Sequence, residues 1–151
     1  MTQLRSSRFW QIVFAATAAW TLLGAIPSYI DPLGSFLRFH GSPPGSDLEL
    51  QLYRGAWGQT LLFAVGYVFA ALDPRRHTLV LVLGGVGKLL YSARVLSGEA
   101  APLATFAAVG DLVFVALIAA FVASDPAGRS LLRPGAAAAL PVARASGGDP
   151  S

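Results

Sequence analysis

Hydrophobic positions fall into four long runs, at about 9–28, 56–73, 78–97 and 103–123, separated by short links rich in proline, glycine or charge. An α-helix needs roughly 20 apolar residues to cross a bilayer core, and each run approaches that length. The pattern predicts an all-α fold: a polytopic membrane protein with a bundle of four transmembrane helices over residues 1–126. The tail, 127–151, is rich in Ala, Gly and Pro with scattered Arg and has no helical period; the expectation is a disordered cytoplasmic segment.

Within the runs, small and weakly polar residues segregate to one face. Thr17, Thr21, Gly24 and Ser28 recur at helical spacing, as do Gly55, Gln59, Gly66 and Ala70. In the third run Leu81, Gly84, Gly85, Tyr91 and Ser92 share a face with Lys88. The opposite side carries Leu79, Val82, Leu83, Val86, Leu90 and Ala93. Small residues let helices approach closely in lipid, so these stripes are read as packing faces. The first run resembles a signal peptide in layout but is long and lacks an Ala-x-Ala-like site after its core; it is read as an uncleaved span. Asp31-Pro32, Asp73-Pro74 and Asp125-Pro126 are read as helix stops. Residues 31–45 are read as an irregular loop. Ser46-Asp47-Leu48-Glu49 then forms a capping box that starts a helix running without a break to Asp73.

Two charges interrupt the apolar runs. Lys88, the sole lysine among 11 basic residues, sits in the middle of the third, and Asp111 in the middle of the fourth. In a hairpin turning about Ala100 they lie at nearly the same depth at ~1.5 Å per residue. A lone charge at that depth costs at least ~2.5 kcal/mol. The expectation is a buried Lys88–Asp111 pair, with Tyr91 one turn further on. It has two readings: a static pair that sets the register of two helices, or a transport or binding site. A second polar group, Arg54, Trp57, Gln59 and Arg94, is read as interface anchors or as contacts for an anionic or lipid head group. Gly84-Gly85-Val86-Gly87-Lys88 is not a phosphate loop, because the position six before the lysine is Val82 and the segment is an apolar helix. His40 and His77 are read as exposed loop residues.

Composition narrows the function classes. Hydrophobic residues make up 54% and charged residues 13%, the balance of a membrane protein. The net charge of +3 comes from short clusters between apolar runs, which is a topology signal and not a nucleic-acid surface. There is no cysteine, which excludes disulfides, Cys-based zinc sites and thiol redox chemistry. No catalytic set, metal box or cofactor motif is visible. Arg5, Arg8, Arg75, Arg76, Arg129, Arg133 and Arg144 fall on one side of a four-span chain, against Arg38, Arg54 and Arg94 on the other. The positive-inside rule puts both termini in the cytoplasm of a multi-pass cell-membrane protein. The leading expectation is a non-catalytic module that packs with itself, as a homo-oligomer, or with a larger membrane complex. The alternatives are a small proton- or anion-coupled carrier using Lys88 and Asp111, and an enzyme or binder acting on a lipid or quinone.

Overall fold

The computed structural model describes residues 2–98 and 100–125, with side chains from Arg8 onward. The tail expected to be disordered lies outside the described residues. The fold is all-helical: α1 Thr2–Ile30, α2 Pro32–His40, α3 Asp47–Leu72, α4 Thr78–Leu96 and α5 Pro102–Ser124. Among the described residues, four helices are long and apolar enough to cross a membrane: α1 from Arg8, α3, α4 and α5. Their outward faces carry large apolar side chains such as Leu23, Leu62, Leu79, Leu90 and Phe106. These are the features of a small multi-pass membrane protein.

The fifth helix corrects the reading of 31–45 as irregular. Asp31-Pro32 does not only end α1; it also starts α2. The Asp31 carboxylate accepts from the Gly34 amide at 3.0 Å, and Pro32 occupies the first helical position. A side-chain acceptor before a residue with fixed φ is a start signal as well as a stop. Gly41 closes α2 in the left-handed region, at φ 75°. Pro27 lies inside α1, which runs on to Ile30.

α3 is continuous through Gly55. Ser46 Oγ accepts from the Glu49 amide at 3.2 Å. The return bond of the box goes to the residue before the cap: Glu49 Oε2 accepts from the Gly45 amide at 2.6 Å. Two backbone donors at the helix start are thereby satisfied.

The long helices pack most closely as two antiparallel pairs, α1 with α3 and α4 with α5. The Thr17, Thr21, Gly24 and Ser28 stripe is spent in the first pair. Thr17, Thr21 and Ser28 are buried, and Trp57 of α3 lies against Gly24. Their hydroxyls bond back to the carbonyls of Val13, Thr17 and Gly24, so no donor is left bare. In the second pair, Ser92 Oγ donates to the Ala108 carbonyl at 3.0 Å, while Ala104 and Ala108 are buried. Large rings then join the pairs. At the end carrying the 73–77 connection, Phe14 of α1 meets Phe121 of α5 edge-on at 5.2 Å, and Trp10 meets the same ring at 5.4 Å. Val13, Ala18, Tyr67, Ala70, Leu81, Ile118 and Val122 complete this core. The same end is tied by Gln11 donating to the Leu72 carbonyl at 3.0 Å and by Arg75 Nε to Asp125 at 2.9 Å.

Candidate functional site

Toward the α2 end the two pairs touch through Trp20 and Phe106, at 5.6 Å between ring centroids, and do not fill the space between them. They leave a cavity of about 930 Å³, with Lys88, Asp111, Trp20 and Tyr67 among its deep residues and Arg38, His40, Tyr53 and Arg94 near its mouth. Ring and aliphatic walls lie between, including Phe39, Trp57, Phe63 and Phe106. Apolar walls with a few converging polar groups are the usual makeup of a small-molecule site.

The floor is built around one carboxylate. Asp111 Oδ1 accepts from Lys88 Nζ at 2.5 Å and from Trp20 Nε1 at 3.0 Å. Both charged residues are 9% exposed. The depth matching of the two helices is the reason they meet: Gly85 faces Ile118 and Ser92 faces Ala108 on either side of them. Trp20 can reach Asp111 because the next residue back is Gly110; any Cβ there would run into the indole. Oδ1 thus carries both bonds. Among the described residues nothing donates to Oδ2, and Lys88 keeps two of its three donors.

Tyr67 lies one turn below. It is 1% exposed, its ring centroid is 5.9 Å from Lys88 Nζ, and its hydroxyl fits a notch at Gly84 that a Cβ would fill. This hydroxyl is buried with no hydrogen-bond partner among the described residues. A buried donor left unmade costs about 1–3 kcal/mol. Below it Leu81, Phe14 and Phe121 are fully packed, so the cavity ends here.

The mouth is organised by α2. Ser28, Ser35 and Tyr53 form a hydroxyl chain across α1, α2 and α3, with steps of 2.6 and 3.0 Å. Phe36 stacks on His40 at 4.0 Å and meets Tyr53 edge-on, while Phe39 lies 5.7 Å from Trp57. Arg38 approaches Asp31 only at 4.0 Å, with both side chains more than half exposed. Arg94 makes no ion pair with any described residue.

Of the residues singled out in the sequence, Lys88, Asp111, Tyr91, Trp57, Gln59 and Arg94 all line this cavity. Arg54 does not: its guanidinium lies over the Tyr29 ring at 5.0 Å. Arg38 takes the place expected for it. His40, expected in an exposed loop, is the last residue of α2 and part of the mouth. Trp20 and Tyr67 went unread. A signal for Trp20 existed, since its indole N–H falls in the middle of an apolar run and must find an acceptor there. No cluster of metal-ligating side chains occurs among the described residues. Comparisons with protein families, with characterised proteins and with solved structures return no match, so the functional reading rests on the site alone.

Proposed function

We propose that this is an integral membrane binding protein of four spans, which holds a small amphiphile in the vestibule above Lys88 and Asp111. One observation carries the reading: a large cavity ends on a charged pair that keeps unused hydrogen-bonding capacity. A pair that served only to fix helix register would be stable with packed neighbours on every side, because open space beside it adds nothing to the contact. The stripe on α1 and the small residues around Ser92 and Ala108 are occupied within the chain, so a packing module would have to use other faces, such as Gly55 and Gln59 of α3. A carrier would have to open the far end, which is filled here by Phe14, Leu81 and Phe121.

The arginines at 75 and 76 orient the far end toward the cytoplasm of the cell membrane, so the vestibule opens outward. Reporter fusions after Asp125 and within 41–46 are expected to give cytoplasmic and external signals; equal signals overturn this orientation. Binding itself is tested at Gly87, which lines the cavity and where a Cβ would meet nothing within 4 Å. Gly87→Phe is expected to fold normally and fill the vestibule. Native mass spectrometry of the protein in mild detergent is expected to detect amphiphile retained by the parent and lost by the variant. Identical spectra for the two overturn the reading.

A further inference from the structure

The two ends of the vestibule differ in charge, and that difference restricts what fits. The floor is electrically balanced: one ammonium, one carboxylate, with two donors left on Lys88 and one acceptor oxygen left on Asp111. An anion placed there would gain from Lys88 and be repelled by Asp111 Oδ2. An alkyl end would cover these atoms without bonding them, which is costly for charged groups. A neutral group that both accepts and donates, such as a hydroxyl, satisfies both. Among the described residues the mouth is not balanced. Arg38 and Arg94 both line it, Asp31 lies 4.0 Å from the first and outside the lining, and no described residue pairs with the second. An anionic head group suits it. Lys88 and Arg94 are six residues apart on α4, about 9 Å of rise, and the arginine side chain extends the span further. Aromatic and aliphatic walls fill that interval.

We infer that the ligand is a bipolar anionic amphiphile: a hydroxyl group seated on Lys88 and Asp111, an apolar body of about ten carbons among Trp20, Phe63 and Phe106, and an anion held by Arg38 and Arg94. This rests on the vestibule being a binding site, as proposed above, and adds which molecules it selects. Simple fatty acids match the mouth and not the floor. Long-chain diols match the floor and not the mouth.

The test uses three probes of one length, 10-hydroxydecanoate, decanoate and decane-1,10-diol, titrated into the full chain in maltoside micelles. Intrinsic tryptophan fluorescence is the readout, because Trp20 and Trp57 line the vestibule. The hydroxy acid is expected to saturate at a concentration roughly tenfold below either of the others, the difference made by one charge-assisted contact at either end. Arg94→Gln, an exposed position, is expected to bring the hydroxy acid to the level of the diol and leave the diol unchanged. The paired change Lys88→Met with Asp111→Leu is expected to bring it to the level of decanoate; should this variant fold poorly, the Arg94→Gln result decides alone. Equal affinities for all three probes in the parent, with binding abolished by Gly87→Phe, overturn the bipolar selection and leave the binding reading intact. No saturable binding of any probe, or binding that Gly87→Phe does not change, overturns both.

Discussion

The two ends of this molecule are made by the same four long helices and differ in how the gap between the helix pairs is filled. At the Arg75 end, rings from α1 and α5 meet across the gap, and Tyr67 and Leu81 close it from α3 and α4. At the α2 end, the helices are held by hydroxyl bonds and stacked rings at the rim, and the space behind the rim stays open. The boundary is the layer of Trp20, Lys88 and Asp111, with Tyr67 directly beneath. In lipid, apolar side chains gain little by leaving the surroundings, so packing and hydrogen bonds decide which parts close. The filled half has both. The open half has hydrogen bonds and stacked rings at the rim and a Trp20–Phe106 contact between α1 and α5, and the unfilled space among them leaves room for a guest.

Substitutions can break this contrast at the boundary first. Asp111→Leu leaves both Lys88 and the Trp20 N–H without an acceptor, and is expected to lower stability by about 3–5 kcal/mol in detergent unfolding. Lys88→Met is expected to cost somewhat less, because Trp20 still donates to the remaining carboxylate. The double replacement is expected to recover most of the loss and to stay below the parent by ~1 kcal/mol, the unmade Trp20 bond. Single variants as stable as the parent would remove the boundary layer from the account.

The next effect separates the halves directly. Phe121→Ala opens a hole in the filled end and is expected to cost about 2–3 kcal/mol, the packing part of a large-to-small change. Phe39→Ala at the mouth is expected to cost under ~1 kcal/mol in the same assay. Equal losses would mean that the open half is held as tightly as the closed one.

Four further changes sharpen the line between them. Tyr67→Phe removes a buried hydroxyl that has no partner, and is expected to stabilise the protein by about 1 kcal/mol. A loss would reveal a bond to the hydroxyl, from water or ligand. On α4, Gly84→Ala pushes against that hydroxyl and is expected to cost 1–3 kcal/mol, whereas Gly87→Ala, three residues on, meets open space and is expected to gain up to ~1 kcal/mol from helix propensity alone. Arg75→Gln has the smallest effect, under ~1 kcal/mol and reduced by salt, because the arginine side chain is 61% exposed.

Much of this was legible from the residues, for reasons that can be named. Four apolar runs of membrane length can do little except form helices. Matching depths across a short link brought Lys88 to Asp111, because register in a helical hairpin follows from counting residues. The inward side of α4, with Leu81, Gly84, Gly85 and Ser92 buried and Leu79, Leu83 and Leu90 outside, follows from helical period. What was not legible depends on distances between helices that are not neighbours in the chain. Trp20 reaches Asp111 across 91 positions. Nothing local to either residue specifies how far α1 stands from α5. The cavity is a property of that spacing. α2 was missed for a different reason: Asp-Pro has two meanings, and only the left-handed Gly41 nine residues later distinguishes a start from a stop. Arg38 and His40 entered the site with that helix, and Arg54 left it for the Tyr29 ring.

The Lys88–Asp111 contact also bears on how the chain is made. Synthesis delivers α4 before α5, so for a time Lys88 is the charged centre of a segment whose partner has not yet emerged. Admitting α4 to the bilayer alone costs at least ~2.5 kcal/mol for that residue. α1 and α3, with no charge in their central turns, can be released one after the other. α4 and α5 gain by waiting and entering together as a hairpin, with the ammonium already neutralised by its carboxylate. The 97–101 link is short, and the delay is therefore brief. The ion pair at the floor of the vestibule therefore favours bringing the last two helices into a bilayer as one unit.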